Sequence, residues 1–164
     1  MPLRARPPRP EDAEAIARIY NEGIAGRLAT FETRERTAED IEAWFDAGFP
    51  LVLVEDDGGA ILAWASAPPY RPHREAYRGV GDFSVYVAGE ARGRGAGRAA
   101  MEALAEEARA RGFWKLVGRI FPENRASLAL CRSLGFREVG VYRRHARLDG
   151  VWRDVVVVEL LLDG

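Results

Sequence analysis

Cysteine, lysine and histidine are scarce in this chain. Cys131 is the only cysteine, Lys115 the only lysine, and His73 and His145 the only histidines. One thiol excludes an intrachain disulfide and any thiolate metal cluster. Two histidines so far apart give no metal-ligand spacing, so no metal is expected; both are assigned surface or edge positions. No apolar run approaches the ~18 residues of a membrane span, which leaves no membrane partner. The first ten residues carry Arg and Pro without the apolar stretch of a secretory signal. Charge of one sign is missing too: 24 Lys and Arg face 25 Asp and Glu, a net charge of -1. Without a basic field, nucleic acid is not an expected partner. These absences fit a single domain over residues 1–164 in a reducing cytoplasm.

What is present alternates between helical and strand periodicity. Residues 1–6 fit a short strand. Pro10, Glu11 and Asp12 mark a helix start, and Ile16, Ile19, Tyr20, Gly23 and Ile24 follow at helical spacing. Residues 28–35 read as a loop. Thr37 and Asp40 form a capping box ahead of a helix that buries Ile41, Trp44 and Phe45. Residues 50–68 read as a hairpin turning at Asp57-Gly58-Gly59. A proline-broken loop over 68–79 carries Arg71, Arg74 and Arg78 against one acid, Glu75. Residues 80–87 form the next strand, 96–111 a helix, 115–121 a strand and 124–134 a helix closed by Gly135-Phe136. Strands over 137–148 and 151–162 pair across Asp149-Gly150. The order β-α-α-β-β-β-α-β-α-β-β gives an α/β (α+β) fold with a mixed sheet and helices on both faces. Trp64, Tyr70 and Trp152 are assigned to core or interface.

One segment carries the chemistry: "SVYVAGEARGRGAGRAAMEAL", residues 84–104. A strand ends, glycines follow, and a helix begins. A helix N-terminus exposes unpaired N–H groups and a partial positive charge, and glycines let a phosphate approach the backbone. Arg92, Arg94 and Arg98 add charge-assisted bonds. The loop is not a P-loop, because Gly97 is followed by Arg98-Ala99 rather than Lys and a hydroxyl. Gly93, Gly95 and Gly97 also miss the Rossmann spacing. R-x-x-G-x-G at Arg92, Gly95 and Gly97 remains.

That pattern resembles the pyrophosphate loop of the GNAT superfamily of N-acetyltransferases. "FSVYV" before it and "PENRASLALCRSLGF" after it extend the match, as does the element order. Within the superfamily the chain resembles the phosphinothricin, methionine sulfoximine and arsinothricin acetyltransferases. Tyr20-Asn21, "TFETRE", "REAYR", Asp82 and "DGVWRDV" carry that likeness. The resemblance implies a mostly antiparallel GNAT sheet, acetyl-CoA as cosubstrate, a small amino-acid-like amine as acceptor, and a homodimer.

It also implies roles. Residues 92–98, including Gly93, Arg94 and Ala96, hold the diphosphate. The backbone of Val85, Tyr86 and Val87 holds pantetheine, and a bulge there aims the Val87 amide at the oxyanion. Asn124 serves as N-cap and coenzyme contact, with Ser127 one turn on. Asp82 stands where the family usually has glutamate. An alkylammonium is about one part in a thousand neutral at pH 7, which costs roughly 4–5 kcal/mol. A base relieves that cost. Aspartate is one methylene shorter, so proton transfer through water is expected; the plainer alternative is an ion pair with a nearby arginine, such as Arg74 or Arg78. Arg74 and Tyr77 are assigned to the acceptor's charged groups, and Phe31 and Thr33 to the pocket wall. Cys131 replaces the tyrosine or histidine acid of relatives and reads as a buried apolar residue. The alternatives are another amine, such as a protein N-terminus or polyamine, and a non-catalytic module binding acetyl-CoA or RNA through "RGRGAGR".

Overall fold

The computed structural model describes residues 2–162. Met1, expected to open the first strand, lies outside the described residues, as do 163 and 164. The elements run β1 (Leu3–Arg6), α1 (Ala13–Ala25), α2 (Ala38–Ala47), β2 (Leu51–Asp56), β3 (Ile61–Ser66), β4 (Val80–Asp82), β5 (Ser84–Val87), α3 (Ala96–Ala110), β6 (Lys115–Ile120), α4 (Arg125–Ser133), β7 (Arg137–Leu148) and β8 (Val151–Leu161). The local signals act as expected. Thr37 accepts from the Asp40 N–H while its own N–H donates to the Asp40 carboxylate, which starts α2. Gly135 takes φ +89°, and Phe136 N–H closes back on Cys131 O at 3.0 Å.

The strand expected over 80–87 is two strands in two sheets. β5 belongs to the sheet β1-β2-β3-β5, and β4 to the sheet β4-β6-β8-β7. β4 pairs parallel with β6, and the other strand pairs are antiparallel. The change of partner falls at Phe83, whose N–H still reaches Val117 O at 2.9 Å. One residue on, Ser84 pairs with Ser66 of β3. Beyond that point β5 and β6 part. The β3–β5 register runs without a shift. The opening therefore comes from this switch of sheets and not from the bulge expected near Val87.

Helices cover both faces of the first sheet. Trp64 and Tyr86, opposite each other in register, stack at 5.0 Å on one face and meet Tyr20 of α1 at 5.8 and 4.9 Å. Such aromatic pairs add roughly 0.5–1.5 kcal/mol each beyond their burial. On the other face Ala100, Met101, Leu104 and Ala108 of α3 are buried. Gly97 there comes within contact of the Val87 side chain. Trp64 is core, whereas Trp152 is half-exposed beneath the Arg147 guanidinium.

Phe83 is the wedge at the parting. Its ring packs on Phe136 at 5.0 Å and lies so close over Gly118 that a Cβ there would fall 2.2 Å from it. Gly118→Ala is expected to displace the ring and lower stability by about 1–3 kcal/mol, the usual cost of overpacking. Urea unfolding measures this, and adding Phe83→Leu should restore part of the loss.

Candidate active site

Gly93 and Gly95 both take positive φ, 77° and 83°. Only glycine adopts that conformation cheaply. It folds residues 92–95 under the start of α3, where Gly95 is the N-cap and the first turn holds no acid. Ala99 N–H bonds Gly95 O. The amides of Ala96, Gly97 and Arg98 precede that first helical bond and are free to meet an anion. They open into a cavity of about 370 Å³. Arg92, Gly93, Gly95, Ala96, Gly97 and Arg98 line it, with Val85, Val87, Asn124 and Ser127 opposite. Arg98 also reaches Ser133 Oγ at 2.9 Å. Arg94 is not in the lining; its guanidinium lies 3.9 Å from the Asp56 carboxylate.

The cavity continues into the gap between β5 and β6. This narrower cleft, about 50 Å³, shares Ala29, Val85, Asn124 and Ser127 with it and adds Tyr86, Arg119 and Cys131. Ala88 N–H donates to Leu62 O of β3 at 2.8 Å. Strand amides alternate, so those of Val85 and Val87 point the other way, into the opening. Asn124 accepts from Ser127 N–H as the cap of α4. The 27–36 loop closes one side. Asn21 fastens it, accepting from Arg36 N–H at 2.8 Å and donating to Arg36 O at 2.9 Å. Phe31 on this loop meets Phe121 edge-to-face at 4.8 Å and, although assigned to the pocket wall, lines none of the described cavities. Thr33 is exposed and lines none of the described cavities.

On the far side of the opening lies a third cavity, about 600 Å³, which contains Asp82. Arg71, His73 and Arg74 line it from the 68–79 loop, Arg119 from β6, and Tyr142 and His145 from β7. Asp82 forms an ion pair with Arg119 at 2.5 Å. The ion-pair alternative is thus present, with an arginine on the neighbouring strand rather than in the loop. Arg71 and Arg74 make no ion pair with any described acid; Arg71 lies over the Tyr70 ring instead. Tyr77 meets Tyr70 edge-to-face and lines the neighbouring hollow on the outer sheet face.

Sequence reasoning missed Arg71, Arg119, Tyr142 and His145. The two β7 residues depend on a register shift between Tyr142 and Ala146, where Arg144 takes φ +47° and its N–H donates to Asp154 at 2.8 Å. Tyr142 and His145 then stack at 4.7 Å. The "WRD" motif was the available signal, since its aspartate pins the bulge. His73 and His145 are exposed, as expected, yet both face Asp82's cavity. Among the described residues no His, Cys, Asp or Glu cluster suits a metal. No helix among them is long and apolar enough to cross a membrane.

Burial, with Glu138 nearby, pushes the Cys131 thiol up to about 11. Giving its proton to an ordinary thiolate, with pKa about 8.5, is then uphill by roughly 3 kcal/mol. Cys131→Ala is expected to keep most of the turnover, and a hundredfold loss would reverse that reading. Alkylation of the native thiol should accelerate only as pH approaches 11.

Comparison with known proteins gives this geometry a family. The profile of the acetyltransferase (GNAT) family matches residues 15–136. A methionine sulfoximine/methionine sulfone acetyltransferase of Pseudomonas paraeruginosa is 35% identical over 156 residues, 93% of this chain and 90% of that one. An acetyltransferase from Salmonella typhimurium, solved with acetyl-CoA, superposes with a TM-score of 0.93 at 29% identity, covering 100% of this chain and 96% of that one. A phosphinothricin acetyltransferase from Sinorhizobium meliloti, also with acetyl-CoA, gives 0.91 at 30% identity over 98% and 89%.

Proposed function

The chain belongs to the GNAT acetyltransferase family and is an acetyltransferase with acetyl-CoA as cosubstrate, and from that premise we propose that it acetylates the amine of a small amino-acid-like substrate of the phosphinothricin, methionine sulfoximine or arsinothricin type. One observation carries the proposal. The passage from the glycine loop through the β5–β6 opening ends in a cavity where Asp82 faces Arg71 and Arg74, neither of them in an ion pair with a described acid. A polyamine or aminoglycoside would meet like charge there. An acceptor with a carboxylate and a second anionic or polar head finds two guanidinium forks.

The diphosphate rests on the amides of Ala96, Gly97 and Arg98, with Arg92 and Arg98 beside it. Arg94, turned toward Asp56, takes part through the backbone of the loop. Pantetheine lies along β5 as an added strand, and the Val85 and Val87 amides divide between it and the thioester oxygen. Val85 is nearer Asp82 along the chain. The acceptor ammonium loses a proton through water to Asp82. The neutral nitrogen attacks the carbonyl carbon, a C–N bond forms, and the C–S bond breaks. Water protonates the departing thiolate.

The proposal includes a single domain, a cytoplasmic setting suited to one buried thiol, and a homodimer. In favour of the dimer, β7 exposes both faces, and Val139, Val141 and Tyr142 lie about half open to solvent beside the acceptor cavity. Sedimentation equilibrium should give twice the chain mass, and Val141→Glu should shift it toward the monomer. Acetylation removes an amine's positive charge, which is how such an enzyme would confer resistance to an amino-acid-like antibiotic.

Free-thiol release from acetyl-CoA, measured with phosphinothricin, methionine sulfoximine, polyamines and peptides, tests the acceptor class. The amino acid analogues should turn over and the polyamines should not. Asp82→Ala should lower turnover about a hundredfold near neutral pH and much less in alkali, where the amine is already neutral. Unchanged kinetics at every pH would remove Asp82 from the mechanism.

A further inference from the structure

Resting on this reading of the acceptor, we infer that Arg119 is a specificity-determining residue that exchanges Asp82 for the acceptor's α-carboxylate. Its placement is particular. Of the described cavities, the β5–β6 cleft and the Asp82 cavity share this one residue. Whatever joins thioester to amine therefore passes its guanidinium.

The pair it forms is built to open. Asp82 is the only acid with which Arg119 makes an ion pair among the described residues, and the converse also holds. The Arg119 side chain is 43% exposed and that of Asp82 26%. Pairs this accessible contribute about 0–1 kcal/mol, so parting them costs little. Nor does the fold need them, since backbone pairing of Asp82 with Val117 already joins β4 to β6.

An α-amino acid is itself an ion pair, with ammonium and carboxylate on one carbon. Inserted between Asp82 and Arg119, it replaces one charge-assisted contact by two. Its ammonium meets Asp82, and its carboxylate meets the guanidinium fork. The same insertion sets the nitrogen beside the base and at the mouth of the cleft. It leaves Arg71 and Arg74 for the distal head. An amine without a carboxylate must instead break the Asp82–Arg119 pair and leave the guanidinium uncompensated next to its own charge.

The test compares methionine sulfone with its carboxamide and with the corresponding decarboxylated amine. KM and kcat come from thiol release. Equilibrium binding is measured by calorimetry on protein saturated with coenzyme A, where no turnover occurs. The wild-type protein should prefer the acid over both analogues by at least tenfold. Arg119→Ala should raise KM and the dissociation constant for the acid by tenfold or more and leave those for the carboxamide unchanged or lower, so that the preference collapses. Arg119→Lys should fall between. Equal weakening of acid and carboxamide in Arg119→Ala, or no weakening of either, overturns the assignment. So does a wild-type protein indifferent to the carboxylate, a result that stands even if Arg119→Ala does not fold. Transfer to amines without a carboxylate would leave an acetyltransferase standing without this role for Arg119. Failure to acetylate any acceptor would instead strike the proposed function first and this inference with it.

Discussion

The site depends on one event in the backbone: at Phe83 the chain stops pairing with β6 and starts pairing with β3. An unpaired sheet edge is ordinarily a liability, because any other strand can add to it. Here the edge faces inward across a narrow gap, closed by α4 on one side and by the 27–36 loop on the other. The occupant proposed for this gap is the thin, extended amide chain of pantetheine. The same switch brings the start of α3 and the carboxylate of Asp82 to opposite ends of one channel. Phe83 holds the gap open by occupying the space where a Gly118 side chain would otherwise stand.

Charge is distributed on a second principle. The chain as a whole is nearly neutral, so selectivity has to come from local imbalance. Many arginines are matched to acids. Burial alone would raise Asp12, but the Arg6 fork and the Arg9 amide outweigh it and hold the carboxyl below its usual range. Arg6 also reaches Glu55, which joins β1 and β2 to the entry of α1. Around Asp82 the matching is incomplete. Asp82 pairs with Arg119, and Arg71 and Arg74 face the same cavity without an ion pair to any described acid. Local excess of this kind is what an anionic ligand reads, whatever the net charge.

The elements were largely legible because their signals are local. The Thr37–Asp40 box, the Gly135 cap and the Asp149-Gly150 turn each act within a few residues. The glycine loop could be read for the same reason: strand, glycines and helix are contiguous. The division of residues 80–87 between two sheets was not legible, since a strand's periodicity is the same whichever partner it has. For that reason an opening was foreseen but attributed to a bulge. Arg119 stayed hidden because only the parallel β4–β6 pairing, contributed by distant segments, brings it to Asp82. Tyr142 and His145 required a bulge held by Asp154, nine or more residues on. Arg74, assigned to the acceptor, lines the cavity of Asp82, whereas Tyr77 lies on the adjoining face and Arg94 turns toward Asp56.

Proton movement sets the last constraint. Asp82 is fixed at its backbone, with its N–H on Pro68 O at 2.8 Å, and its short side chain cannot follow a substrate. The cavity around it, about 600 Å³, has room for an acceptor and for water between the two. At the other end of the reacting bond the nearest thiol, Cys131, is a weaker acid than the thiolate's own conjugate acid. In the proposed mechanism, both the proton leaving the amine and the proton arriving at sulfur are therefore carried by water. On that proposal, what the folded chain supplies is position: amides at the thioester, a carboxylate near the amine, and guanidinium groups that select which amines stay long enough to react.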